Sequence, residues 1–132
     1  IVIFQGLFML LTPYYAALLA LIYVALSFRV IRLRQVLRVS LGDGNNKQLK
    51  RAIRVHGNFS EYVPFVLIMI YFAEIQSQNS LLIHGLCNAF ILARLAHIYG
   101  VSQIKEKLVF RVFGLSITGC VLCISAFAIL LA

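Results

Sequence analysis

Apolar residues occur in four long runs, which are separated by three short polar connections. The connections are Leu41-Gly-Asp-Gly-Asn-Asn46, Gln76-Ser-Gln-Asn-Ser80 and Gly100-Val-Ser102, all rich in residues that favour turns. About 20 apolar residues are needed for a helix to cross the hydrocarbon core of a bilayer. The pattern therefore predicts four transmembrane helices, at about 13–38, 46–75, 80–100 and 105–131.

The composition supports a membrane location and excludes an ordinary soluble domain. Of the 132 residues, 62% are hydrophobic and only 12% are charged, and the mean hydropathy is +0.96. No linker, internal repeat or change of composition divides the chain. The predicted fold is an all-α, integral membrane four-helix bundle that forms one domain over residues 9–132.

The first eight residues are expected to lie outside this domain. Phe4-Gln5-Gly6 looks like the remnant of a protease site, and Met9 is a plausible native start just before Thr12 and Pro13. We expect residues 1–8 to be such a remnant or a disordered start. Thr12 is expected to cap the first helix, with Pro13 at its first position, where proline loses no hydrogen bond.

The formal charge of +8 is concentrated beside two of the three connections. Arg29, Arg32, Arg34, Arg38, Lys47, Lys50, Arg51 and Arg54 flank the first connection, and Lys105, Lys107 and Arg111 flank the third. The positive-inside rule predicts that these connections are cytoplasmic, with both termini and the 76–80 turn on the opposite side. Nucleic acid is excluded as a partner, because no soluble domain presents the charges, whereas anionic membrane lipids suit them.

A polar stripe follows one face of the second predicted helix. At about 100° per residue, the stripe contains Arg51, Arg54, Asn58, Glu61, Tyr62 and Phe65. His56 lies off the stripe and is predicted to make a packing hydrogen bond. An ionised side chain at bilayer depth costs about 2.5–3.5 kcal/mol on insertion scales, so it usually faces a partner or a cavity. Either a ligand site or a structural salt-bridge network between helices satisfies this requirement.

Other polar residues are predicted to meet the stripe at the cytoplasmic side. Arg34 ends the first helix, Arg94 and His97 share a face of the third, and Arg111 starts the fourth. Arginines bind carboxylates in bidentate fashion, while Glu61 can accept an amine or neutralise an arginine. These residue types predict a cationic pocket for an anionic ligand that also carries an amine.

The sequence shows no spacing typical of metal ligands, no glycine-rich phosphate loop and no credible Ser/His/Asp set. Cys120 and Cys123 form a Cys-x-x-Cys, but no second cysteine pair or histidine cluster completes a metal site. Together with Cys87 they are interpreted as small buried apolar side chains. No metal is predicted.

The motif Arg-x-x-Arg-x-His-x-Asn-Phe-x-Glu-Tyr-x-Pro at 51–64 resembles the MAPEG family, the membrane-associated proteins in eicosanoid and glutathione metabolism. Ala93-Arg-Leu-Ala-His97 and Arg111-Val-Phe-Gly114 add to the likeness, which covers the chain from about Met9 and is closest to bacterial microsomal glutathione transferase-like members. The resemblance implies a left-handed four-helix bundle, a homotrimer in the bacterial inner membrane, and glutathione bound between subunits on the cytosolic side.

The resemblance also assigns roles to individual residues. Glutathione contacts are implied for Arg51, Arg54, Asn58, Glu61, Tyr62, Arg94 and His97. Arg111 matches the arginine that holds the thiolate, and Arg34 is a second candidate for that role. His97 stands where the leukotriene-synthase branch has a tyrosine, which favours the broader transferase-like group.

The predicted function is therefore that of a glutathione transferase, with possible peroxidase activity. Glutathione would be the cosubstrate, and hydrophobic electrophiles or lipid hydroperoxides from the bilayer would be the acceptors. The alternative is a non-catalytic membrane scaffold or lipid-binding module of the same fold. Glutathione-dependent conjugation by the purified protein distinguishes the two.

Overall fold

The computed structural model describes residues 9–132, and the prediction for residues 1–8 lies outside this range. The described chain is all helical, with α1 at Thr12–Leu37, α2 at Lys47–Ser77, α3 at Ser80–Ser102 and α4 at Leu108–Leu130. Each of the four is long and apolar enough to cross a membrane. Four helices were predicted and residues 9–132 contain four, although α4 begins at Leu108 and not at 105.

The first helix is capped from a distant part of the chain, and the prediction that Thr12 caps it is wrong. Leu11 occupies the N-cap position and no side chain of α1 caps the turn. Instead the buried carboxylate of Glu74, near the end of α2, accepts hydrogen bonds from the backbone N–H groups of Leu11 and Thr12, the latter at 2.9 Å. A carboxylate at a helix N-terminus satisfies free N–H groups and complements the helix dipole.

The second and third helices start with asparagine caps close to the predicted positions. Asn46 Oδ1 accepts from Leu49 N–H at 3.0 Å, and Asn79 Oδ1 accepts from Leu82 N–H at 3.1 Å. Such a side-chain cap replaces a hydrogen bond that the first turn of a helix lacks. Local sequence therefore determines where these two helices begin.

The helix α2 lies at the centre of the bundle and packs against the other three helices. The most extensive packing is between α3 and α4, whereas α1 rests mainly on α2. In α1 only Thr12, Leu19 and Leu26 are buried, one every seven residues. Large apolar side chains cover the outer faces, among them Leu21, Phe28, Leu92, Val112 and Phe127. These faces suit hydrocarbon or a neighbouring helix.

Two glycines allow α3 and α4 to approach closely. A Cβ added at Gly114 would lie 2.6 Å from the carbonyl oxygen of Ala93 and 2.7 Å from Cβ of His97. One added at Gly100 would lie 2.8 Å from the backbone nitrogen of Arg111. Small residues at helix contacts in membranes permit this kind of packing. The contact brings the start of α4 to the end of α3.

The bundle has two ends of different character. The basic end carries connections 38–46 and 103–107, where α1 and α3 end and α2 and α4 begin. The neutral end carries the short turn between α2 and α3 together with the start of α1. All the residues predicted to bind a ligand belong to the half of the bundle towards the basic end.

Candidate functional site

A groove of about 890 Å³ lies between α2, α3, α4 and connection 103–107. Its polar and charged lining residues are Lys47, Lys50, Arg51, Arg54, Asn58, Glu61, Tyr62, His97, Glu106 and Arg111. Seven of the nine predicted site residues therefore line one surface, since only Arg34 and Arg94 are missing from this set. Phe65 belongs to the predicted stripe but is exposed away from the groove.

The groove is cationic but contains two carboxylates. Its five cations are Lys47, Lys50, Arg51, Arg54 and Arg111, and its acids are Glu61 and Glu106, which gives 5 − 2 = +3 when all are ionised. A concave surface of one sign attracts ligands of the opposite sign and raises their local concentration. The arrangement suits an anionic ligand that carries a positive group as well.

The two carboxylates are held differently. Glu106 Oε1 accepts a hydrogen bond from Arg111 Nη1 at 3.0 Å and lies 3.5 Å from Arg51 Nη1, with the Glu106 side chain 24% exposed. Glu61 Oε1 is 3.8 Å from Arg54 Nη1, and both side chains are more than half exposed. Exposed ion pairs of that kind contribute about 0–1 kcal/mol. Glu61 is therefore the carboxylate that is free to change partners.

Arg94 is not on the groove surface but buried directly behind it. Its guanidinium donates to Asn58 Oδ1 at 2.9 Å, to Thr118 Oγ1 at 2.8 Å and to the carbonyl oxygen of Gly114 at 3.3 Å. The side chain joins α2, α3 and α4, and it lies 5.6 Å from the ring centroid of Tyr62. The structure thus connects Arg94 to the groove through Asn58 and Tyr62.

Asn58 and His97 form the deepest polar part of the groove lining. Both are buried, at 4% and 3% exposure. Gly114 allows His97 to pack against α4, because any larger residue there would collide with the histidine Cβ. Neither residue carries a fixed charge at neutral pH, so they offer hydrogen bonds to a ligand where the arginines offer charge.

Arg34 is separate from the groove in this chain. Its Nη1 donates to the carbonyl oxygen of Gly42 at 2.8 Å and so closes the connection between α1 and α2. The structure brings Arg111 to the groove and leaves Arg34 in this connection. The thiolate role predicted for Arg34 stays a prediction.

Two interpretations of residues away from the groove have different outcomes. His56 Nε2 hydrogen bonds to Ser27 Oγ at 3.0 Å and its ring lies 5.0 Å from that of Tyr23, so the predicted packing role is confirmed. For the three cysteines the outcome is mixed, because Cys87 is buried whereas Cys120 and Cys123 are exposed on α4. The prediction that all three are buried is wrong for the pair on α4, since their helical positions face outward.

Sequence reasoning missed Glu106 and Thr118, and it named Gly114 only as part of the Arg111–Gly114 motif without giving it a role. Glu106 stands between Lys105 and Lys107, so it looked like part of a solvated charge run. It is nevertheless one of only four acidic residues in the chain, which was a usable signal. Thr118 follows Gly114 by one helical turn, on the face that meets Arg94.

Comparison with known proteins agrees with the fold. The MAPEG family pattern matches residues 12–131, a range that contains all four helices in full. Inner membrane protein YecN of Escherichia coli (strain K12) is 38% identical over 115 residues, or 86% of each chain. The protein of that name from a second Escherichia coli strain has the same identity and coverage. This chain is a member of the MAPEG family.

Proposed function

We propose that this protein is a membrane-bound glutathione transferase with glutathione peroxidase activity towards lipid hydroperoxides. The observation that carries the proposal is the groove itself, which combines five cations, one loosely paired carboxylate and two buried hydrogen-bonding side chains. The MAPEG family includes glutathione transferases, and this makes glutathione the first ligand to test.

Glutathione fits the charges of the groove. It carries two carboxylates and one ammonium group, besides its thiol. Arg51 and Arg54 on α2 would bind the carboxylates, since guanidinium groups match carboxylates in shape and charge. Glu61 would accept the ammonium group by leaving Arg54, at little cost because the pair is exposed and long. Asn58, Tyr62 and His97 would hydrogen bond the peptide groups.

Arg111 is the proposed activator of the thiol. A cysteine thiol has a pKa near 8.5 and is only slightly ionised at neutral pH. Lowering this pKa by about 1.5 units takes about 2 kcal/mol, which one guanidinium in a partly desolvated site supplies. Arg111 lines the groove at the start of α4, with its side chain 40% exposed. Its guanidinium is thus both charged and reachable.

The ionised sulfur would attack acceptors that enter from the bilayer. With an activated chloroarene, the sulfur forms a bond to the ring carbon and chloride leaves. With a lipid hydroperoxide, the sulfur takes the terminal oxygen, and an alcohol and a glutathione sulfenic acid result. A second glutathione then reduces the sulfenic acid to glutathione disulfide and water. In both reactions the protein contributes charge and proximity.

The proposed assembly is a homotrimer with the groove at the subunit interface. Glu61 lies 61 − 47 = 14 residues into α2, or about 21 Å along its axis, yet its side chain is 57% exposed in the single chain. An uncovered charge at that depth is costly in lipid, so a neighbouring subunit should cover it. Cross-linking in mild detergent is expected to give trimers, and finding only monomers would contradict this assembly.

The proposed location is the inner membrane, as the name of the Escherichia coli relative suggests, with the basic end in the cytoplasm. A cysteine introduced at Ser77, with the native cysteines replaced by serine, is then expected to react with an impermeant reagent from outside the cell. A matched cysteine at Asn45 should react only after lysis. The reverse pattern would place the groove on the other side.

Conjugation of glutathione to an activated chloroarene by the purified protein tests the proposed activity. The expected result is a protein-dependent rate that S-methylglutathione inhibits. Another outcome is a trimer that binds S-methylglutathione and yet neither conjugates glutathione to a chloroarene nor reduces cumene hydroperoxide. That result would favour the non-catalytic alternative. A protein that does not bind S-methylglutathione at all would refute the glutathione site.

A further inference from the structure

Glu106 is the best-anchored carboxylate of the groove, and no role has been assigned to it above. It contacts two arginines from two different helices, Arg51 of α2 and Arg111 of α4. Both guanidinium groups present an Nη1 atom to the same oxygen, Oε1, at 3.5 and 3.0 Å. One negative charge is therefore shared between two positive charges that would otherwise repel each other.

The position of Glu106 is fixed by the connection that carries it. Lys107 N–H donates to the carbonyl oxygen of Gly100 at 3.2 Å, which closes the connection between α3 and α4. Lys107 Nζ donates to Tyr99 Oη at 2.9 Å, and Arg51 Nη1 donates to the carbonyl oxygen of Val101 at 3.3 Å. Because Gly100 has no Cβ, the connection returns close to α3, and Glu106 is part of the groove lining.

Glu106 and Glu61 are suited to different tasks. Glu61 has one partner at 3.8 Å and is mostly exposed, so it can exchange that partner for a ligand ammonium. Glu106 already has two arginine partners and is only 24% exposed. A ligand ammonium that approached Glu106 would be repelled by the two guanidinium groups already beside this carboxylate. The geometry therefore makes Glu106 a poor ligand group and a good fixed counter-charge.

We propose that Glu106 is a positioning residue that holds the Arg111 guanidinium at the groove and limits how far it acidifies the bound thiol. The inference rests on the proposed function, because it concerns glutathione bound at Arg111. A carboxylate about 3 Å from the activating arginine partly cancels the potential that the arginine exerts on a nearby sulfur. Glu106 would thus lower the fraction of ionised thiol while it keeps the Arg111 guanidinium in place.

Other charged and titratable groups surround this site and share its pH dependence. They are Lys47, Lys50, Arg51, Arg54 and Glu61 of α2, His97 of α3, Lys105 and Lys107 of the connection, and Arg111 of α4. Of these, Arg51 and Arg111 contact Glu106 directly. Contributions from the remaining groups are common to the variants compared below, so differences between those variants report on Glu106.

Titration of the thiolate absorbance of bound glutathione, from pH 5 to 9, tests the proposal. Glu106→Gln keeps the size and the acceptor oxygen of the side chain but removes its charge. The pKa of the bound thiol is expected to fall by about one unit, because an unopposed guanidinium favours the thiolate more strongly. Glu106→Asp, which keeps the charge, should leave this pKa near the wild-type value.

Two comparisons show whether the result comes from Glu106 itself and whether it depends on Arg111. Asp43→Asn neutralises a carboxylate in the other connection at the basic end, outside the groove, and should not change the thiol pKa. In an Arg111→Gln background, Glu106→Gln should still lower the thiol pKa, because the potentials of separate charges add. The decrease should be at least as large as in the wild type, where loss of the Glu106 contact also loosens the activating Arg111. Comparing the four proteins gives the coupling between the two residues directly.

Some outcomes would overturn this role while the proposed function stands. If the wild type shows a bound thiolate and Glu106→Gln leaves the thiol pKa unchanged or raises it, Glu106 does not oppose Arg111. A smaller decrease in the Arg111→Gln background than in the wild type would mean that Glu106 draws Arg111 away from the sulfur, and it would overturn the positioning role. If the wild type binds neither glutathione nor S-methylglutathione, the proposed function itself fails and this role fails with it.

Discussion

Arg94 and Arg111 belong to the same half of the bundle, but their surroundings differ. Arg94 is 1% exposed and its partners are three neutral oxygens, from Asn58, Thr118 and Gly114. Arg111 has a side chain that is 40% exposed and paired with the carboxylate of Glu106. The first arginine joins three helices, whereas the second faces a groove. A charge in a membrane helix can therefore serve the fold or the ligand, and its partners show which.

The largest effect is expected from removing the buried arginine. Arg94→Ala leaves Asn58 and Thr118 without this partner at positions that are buried in the wild type, so we expect a loss of roughly 3 kcal/mol in unfolding free energy. Denaturation in detergent measures it. Arg32→Ala, which removes an exposed arginine of α1, is the matched control and should be nearly neutral. Equal stability of the two variants would show that Arg94 does not hold the helices together.

Removing the groove arginine should affect chemistry and not folding. Arg111→Ala is expected to lower turnover at pH 7 roughly tenfold, because the thiol pKa returns towards 8.5 and less thiolate is present. The pH at which the rate is half-maximal should rise, and affinity for S-methylglutathione should change little. Arg34→Ala, which removes an arginine outside the groove, is the matched variant and should leave the pH profile unchanged. If Arg34→Ala and not Arg111→Ala moves the pH profile, the activating arginine is Arg34.

A smaller effect is expected at the exposed ion pair of the groove. Glu61→Gln should weaken binding of S-methylglutathione about fivefold, since it removes the proposed partner of the ligand ammonium from a half-exposed site. If a neighbouring subunit covers the site and excludes water, this effect should increase towards the 2–5 kcal/mol typical of buried charge pairs. Isothermal titration measures the affinity. An unchanged affinity would mean that the ammonium binds elsewhere.

The smallest expected effect concerns a single hydrogen bond of Arg94, and it tests whether Arg94 serves the fold and not the ligand. Thr118→Val removes the hydroxyl that accepts from Arg94 but keeps the shape of the side chain. Hydrogen bonds between membrane helices average about 0.6 kcal/mol, so stability should fall slightly while the thiol pKa stays the same. A change in thiol pKa without loss of stability would mean that Arg94 acts on the ligand and not on the fold.

Helix positions were predictable because their causes are local. Apolar run length predicts four spans, and Asn46 and Asn79 cap α2 and α3 from adjacent positions. The cap of α1 was not predictable in this way, because Glu74 follows Leu11 by 63 residues. Only the packing of α1 against α2 brings this carboxylate to the helix start. Sequence patterns describe such contacts poorly.

The groove was predictable only where its residues are placed by the local geometry of one helix. Helical spacing placed Arg51, Arg54, Asn58 and Glu61 on one face, and the groove lies along that face. Spacing also placed Arg94 beside His97, but only the close approach at Gly114 determines that Arg94 turns into the core. The position of Glu106 in the groove could not be predicted in this way, because it depends on how connection 103–107 folds back towards α3. Residue type alone did not distinguish its role from that of its lysine neighbours.

The absorbance of bound thiolate in the ultraviolet tests the central claim most directly. Wild-type protein titrated with glutathione at pH 7 is expected to develop a saturable thiolate band, which S-methylglutathione abolishes by competition. In Arg111→Ala the band should be much weaker at pH 7 and return as the pH rises. If wild-type protein binds glutathione without any thiolate band at pH 7, then the groove does not activate the thiol. That result would contradict the account given for Arg111.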